Sequence, residues 1–60
     1  MAKFNTGEIL VCINNRGFES QLTIGKEYSC LNWAWCDTTV LVRDDLGRKT
    51  RFGDTNFKKL

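Results

Sequence analysis

The chain has 60 residues, 42% hydrophobic and 27% charged, with nine basic and seven acidic side chains, no histidine and a formal charge of +2. A chain this short buries only roughly 60% of its unfolded surface, enough for one core and hence one domain, residues 1–60. The hydrophobic fraction excludes a disordered segment, the small net charge does not by itself point to nucleic acid, and no apolar run approaches the ~18 residues of a membrane helix.

Lys3 is followed by Phe4-Asn5-Thr6-Gly7, which has neither an apolar stretch nor a cleavage pattern, so no signal peptide is expected and the location is expected to be cytoplasmic. Cys12, Cys30 and Cys36 cannot all pair within one chain. Free thiols packed as small hydrophobes are the expectation in a reducing compartment, with a Cys30–Cys36 bridge as the alternative. Without histidine or a C-x2-C pair, a tetrahedral zinc site has no ligand set, and no cofactor is expected.

In chain order, Asn5-Thr6-Gly7 is turn chemistry, and Phe4 is placed over one end of the core. Glu8 to Ile13 is β-branched and aliphatic and predicts a first strand whose two faces are both apolar. Period-2 alternation puts either Leu10 and Cys12 or Ile9, Val11 and Ile13 inward, and Leu10 and Cys12 are preferred because a small thiol suits a crowded barrel interior. Asn14-Asn15-Arg16-Gly17 breaks it, and the stretch to Gln21 is a surface loop. Gly25 then supplies a turn with positive φ, and Lys26 to Leu31 alternates as a strand with Tyr28 and Cys30 on one face. Asn32 to Asp37, carrying Trp33 and Trp35, is expected to be a second connecting loop. Thr38 to Arg43 is the clearest strand, with Val40 and Val42 opposed to Thr39, Leu41 and Arg43. Asp44-Asp45-Leu46-Gly47 is a hairpin turn closing on a left-handed Gly, and Arg48 to Phe52 is the returning strand. Gly53 to Asn56 suits a single 3₁₀ turn, and Phe57 to Leu60 a last strand. No apolar spacing sustains a helix. The expectation is an all-β, small five-stranded SH3-like barrel with one 3₁₀ turn before the last strand.

Val11-Cys12-Ile13-Asn14-Asn15, Leu22-Thr23-Ile24-Gly25-Lys26-x-Tyr28, Val42-x-Asp44-Asp45-x-Gly47 and the closing pair Phe52 and Phe57 resemble the small SH3-like proteins encoded by bacteriophages. The resemblance spans positions 8 to 57 and rests on turn and core residues. It implies the barrel fold and action in a host cytoplasm, and it carries over no catalytic or ligand residue. Two departures stand out: Phe52-Gly53 replaces a common Tyr-Pro, and Trp33-Ala34-Trp35 lies outside the pattern. The signature segments of peptide-binding SH3 domains are absent, so the resemblance to them is architectural and implies no polyproline groove.

A catalytic function fails on inventory. No histidine serves the cysteines or Ser20 and Ser29 as a base, Asp44 and Asp45 sit where a turn favours Asp, and the glycines are isolated turn glycines rather than a phosphate loop. With Tyr28, Phe52 and Phe57 filling the core, Phe18, Trp33 and Trp35 remain on loops. Either one tryptophan lids the core, or these three side chains line a docking site, since Trp is enriched in binding hot spots. Arg48, Lys49 and Arg51 are either a solvated strand face or an anion site. The function expected is a non-enzymatic binding module that docks onto a host or phage protein through Trp33, Trp35 and Phe18, with Arg16 and Arg51 adding polar specificity. The alternatives are a binder of nucleic acid, nucleotide or another anion through aromatics and Arg48, Lys49 and Arg51, and a structural piece that self-associates into a homo-oligomer.

Overall fold

The computed structural model describes residues 3–34 and 38–60. Their strands are β1 (Ile9–Cys12), β2 (Glu27–Ser29), β3 (Asn32–Ala34), β4 (Thr39–Arg43), β5 (Lys49–Gly53) and β6 (Phe57–Lys59), with a 3₁₀ turn at Asp54–Asn56 before the last. They form two antiparallel sheets, ordered β2-β1-β6 and β3-β4-β5. The all-β expectation and the 3₁₀ turn agree with this architecture.

Six strands among the described residues replace the expected five, and the added one, β3, lies where a loop was expected. The physical reason is a change of partner inside one extended run. The Cys30 N–H donates to the Glu8 carbonyl at 2.8 Å and the Cys30 carbonyl accepts from Gly7 N–H at 2.8 Å, whereas the next residue, Leu31, donates its N–H to the Leu41 carbonyl at 2.8 Å. The backbone therefore leaves the β1 side at Cys30 and joins β4 at Leu31, and side-chain composition does not mark such a switch.

Alternation along the strands builds the core. Leu10 and Cys12 of β1, Tyr28 of β2, Val40 and Val42 of β4, Phe52 of β5 and Phe57 of β6 are all buried, joined by Cys30, Phe4 and Leu22. Phe57 sits edge-on to Tyr28 at 5.8 Å and to Phe52 at 6.2 Å between ring centroids, so its ring bridges aromatics of both sheets. Each such fully buried large side chain contributes about 1.5–3 kcal/mol. Cys12 and Cys30 are buried free thiols, and burial is the main cause that pushes both above the ordinary cysteine value. Cys36 lies outside the described residues, so the Cys30–Cys36 alternative does too.

Turn chemistry sets the connections. Gly47 closes the β4–β5 hairpin at φ +80°, in the left-handed region that favours glycine. Gly25, at φ +86°, donates its N–H to the Cys12 carbonyl at 2.8 Å and so brings the end of the Ile13–Lys26 connection back onto β1. Asn56 in the 3₁₀ turn is buried, and its side-chain amide donates to the Asn14 carbonyl at 2.7 Å. These contacts fix where the long connection leaves and rejoins the sheets.

Candidate functional site

The outer face of β3-β4-β5 is built by the same alternation that buries Val40, Val42 and Phe52. Arg43 stands directly opposite Lys49, and in the next outward row Arg51 stands opposite Leu41, which pairs on its other side with Asn32. Thr39, Gly53 and Ala34 complete the face. Three cations thus share one sheet surface that carries no carboxylate among the described residues. All three are exposed, and none of them takes part in a salt bridge among the described residues; the Arg43 guanidinium makes only a 3.4 Å contact to the Gly47 carbonyl. Like charges directly opposed across a strand pair are destabilising, so the Arg43–Lys49 pair is an electrostatic cost within the isolated domain.

The adjoining hairpin turn holds a denser polar arrangement. Asp44 is 4% exposed, and its carboxylate accepts from Leu46 N–H (3.0 Å), Arg48 N–H (2.9 Å), the Thr50 hydroxyl (3.0 Å) and the Gln21 side-chain amide (3.2 Å). Burial by itself raises this carboxyl, and the hydrogen bonds from Arg48, Thr50, Gln21 and Leu46 outweigh it, so the net shift is downward. Asp45 accepts from Lys26 Nζ at 2.7 Å, the Thr23 hydroxyl at 2.7 Å and the Tyr28 hydroxyl at 2.9 Å. The Lys26 ammonium, then Thr23 and Tyr28, hold its carboxyl at about 2. The Asp45 N–H also donates to the Gln21 carbonyl at 2.8 Å. Together the two aspartates clamp the Ile13–Lys26 connection onto the β4–β5 hairpin.

Turn preference alone predicts Asp at these positions and does not anticipate the clamp. The signal that could find it is the cluster of polar groups in Gln21 and Thr23, set two positions apart around the buried Leu22. Every carboxylate oxygen in the clamp is engaged, so neither aspartate is disposed as a general base.

The aromatics expected as anchors are placed differently from one another. Trp33 on β3 is paired with Val40, which is paired with Phe52, so its ring faces inward along that row. It is half-buried, sits edge-on to Phe4 at 5.5 Å, and its indole N–H is buried without an acceptor among the described residues. Phe18 is half-buried too, edge-on to Phe52 at 5.1 Å. Both rings are partly covered lids on the core, resting on different partners, Phe4 and Phe52. Trp35 lies outside the described residues. Arg16 is exposed on the loop before Phe18, with its backbone N–H turned to the Asn14 side chain at 2.9 Å. Arg48 is separated from Lys49 and Arg51: it precedes β5 and lies 4.0 Å from the Asp44 carboxylate. Arg43, which cross-strand register adds to the cationic face, takes its place.

A cleft of about 410 Å³ borders this face between the edge strand β2 and the end of β4; Lys26, Glu27, Tyr28, Ser29, Leu31, Arg43 and Asp44 line it. Lys26 is bound to Asp45 and the Asp44 oxygens are engaged, which leaves Arg43 and Glu27 as its available charges. Among the described residues no three His, Cys, Asp or Glu side chains converge on a metal site, and no helix is long and apolar enough to cross a membrane. The chain matches no family model, and neither the curated proteins nor the solved structures contain a match to it.

Proposed function

We propose that the chain is a non-enzymatic binding module of the bacteriophage-encoded SH3-like type, acting in a host cytoplasm by docking onto an acidic surface of a host or phage protein and modulating it. The barrel reading is supported by the bent run from Glu27 to Ala34: counted as one strand shared between two sheets, it returns the strand number to five. The long first connection, the tight β4–β5 hairpin and the 3₁₀ turn before the last strand fit the same plan.

The observation that carries the binding reading is the opposed Arg43–Lys49 pair with Arg51 beside it. An acidic partner relieves the like-charge repulsion on association, so the face gains from a partner what it lacks alone. A protein surface is favoured over single-stranded nucleic acid because Phe18 and Trp33 turn their rings into the core rather than onto this face, which leaves no stacking platform among the cations within the described residues.

The test measures binding of polyglutamate, single-stranded DNA and duplex DNA by wild type and by an Arg43→Ala, Lys49→Ala, Arg51→Ala variant, at low and high salt. Polyglutamate binding that weakens by roughly tenfold or more in the folded variant, and also with salt, supports the proposal. DNA binding with a steep salt slope and no polyglutamate binding supports the nucleic-acid alternative instead. Equal affinity of variant and wild type for every probe removes the face from both.

A further inference from the structure

The second sheet has an outer face of a different kind. Ile9, 38% exposed, and half-buried Val11 share the outer side of β1; Ile13, just past the end of the strand and next in the same alternation, is 47% exposed, and Leu60 beside Ile9 is 75% exposed. This forms a continuous aliphatic stripe down the middle strand of β2-β1-β6, where alternation would ordinarily put polar side chains toward water. Contiguous apolar surface of this kind marks an interaction site.

Charges flank the stripe asymmetrically. Val11 is paired on one side with Glu27 of β2 and on the other with Lys58 of β6, so Glu27, Val11 and Lys58 form one row across the sheet on its outer side. Both flanking residues are exposed, and neither is in a salt bridge among the described residues. The acid lies on one edge strand and the base on the other.

We propose that this face binds a second copy of the chain, the two sheets stacking about a two-fold axis that runs parallel to β1. Rotation about such an axis exchanges the two edges. It lays β1 over β1, so that Ile9, Val11 and Ile13 meet their own copies, and sets Glu27 of each protomer over Lys58 of the other. An axis across the strands instead sets Glu27 over Glu27 and Lys58 over Lys58, which like-charge repulsion opposes. The charge pattern therefore selects one of the two isologous arrangements, and the stripe supplies its dry centre at the usual ~10 Å sheet spacing. Three short strands cover less than the roughly 800 Å² per partner of a standard interface, so the dimer belongs to the weak, transient class. The cationic face on the other sheet is left uncovered, and the dimer does not depend on the binding reading above.

Sedimentation of wild type, Glu27→Lys, Lys58→Glu and the double swap, at concentrations up to about 1 mM, tests the geometry. Each single swap turns two attractive exposed pairs into repulsive ones and weakens dimerisation by roughly tenfold. The double swap restores it. An equimolar mixture of the two single variants forms heterodimers more readily than either forms homodimers, because one then presents two bases and the other two acids. Far-ultraviolet dichroism and a thermal melt confirm that each variant is folded. Wild type that stays monomeric over the whole range overturns the proposal, and so do single swaps that dimerise as well as wild type.

Discussion

Asp45 is the residue on which the acid behaviour of the molecule turns. Its carboxyl titrates at about 2 when folded, against an ordinary 3.8, because Lys26, Thr23 and Tyr28 all favour its charged form. A folded value below the unfolded one stabilises the fold above the unfolded value, and that contribution is lost as pH falls through the folded value. Stability is therefore level above about pH 4 and declines between about pH 4 and pH 2, with Asp44, also shifted downward, adding to the same decline. Urea midpoints measured across that range check it: Asp45→Asn has a lower midpoint than wild type at pH 7 and a shallower fall below pH 4. An Asp45→Asn variant with a neutral-pH midpoint equal to that of wild type contradicts the clamp.

At the scale of single elements, β3 decides what Trp33 does. Register with Val40 turns the indole inward, so Trp33→Ala opens a space beside Phe4 and costs about 2–4 kcal/mol. Chemical denaturation measures that loss, and polyglutamate binding by the variant, assayed below its unfolding transition, stays within twofold of wild type. A stable variant that loses binding would restore Trp33 as an exposed anchor. Alternation makes much of the fold legible: Tyr28 with Cys30 and Val40 with Val42 are inward sets, and Gly25 and Gly47 both take the positive φ their turns require. On β1 it leaves two apolar faces, and the small thiol marks the buried one, Leu10 with Cys12. Period-2 patterning speaks only of which face a residue occupies. It carries no information on which strand lies alongside, so the switch of partner at Cys30–Leu31 that creates β3, and the meeting of Arg43 with Lys49, depended on register. The clamp of Asp44 and Asp45 on Gln21 and Thr23 was hidden for a related reason, since it joins segments more than twenty positions apart.

For the molecule as a whole, burial of titratable core groups limits stability on the alkaline side. Burial raises Cys12, Cys30 and Tyr28 above their ordinary values of 9.0, 9.0 and 10.0, so all three remain protonated in the fold at pH values where the unfolded chain has begun to release protons. Their contribution is complete below pH 9 and is lost as pH rises through the shifted values. A urea midpoint that is flat from pH 6 to about 9 and falls beyond it is the expected profile; a midpoint still level at pH 11 contradicts the buried placement of these groups. Pairing of β1 with β6 has a further consequence, in the order of synthesis. The β3-β4-β5 meander is contiguous in the chain and can pair as soon as it leaves the ribosome. β1 emerges well before it, yet Cys12 cannot meet Phe57, nor Leu10 meet Lys59, until β6 has been made. Until then β1 has β2 alone as a neighbour, and the sheet that buries Leu10 and Cys12 is complete only once its third strand has emerged.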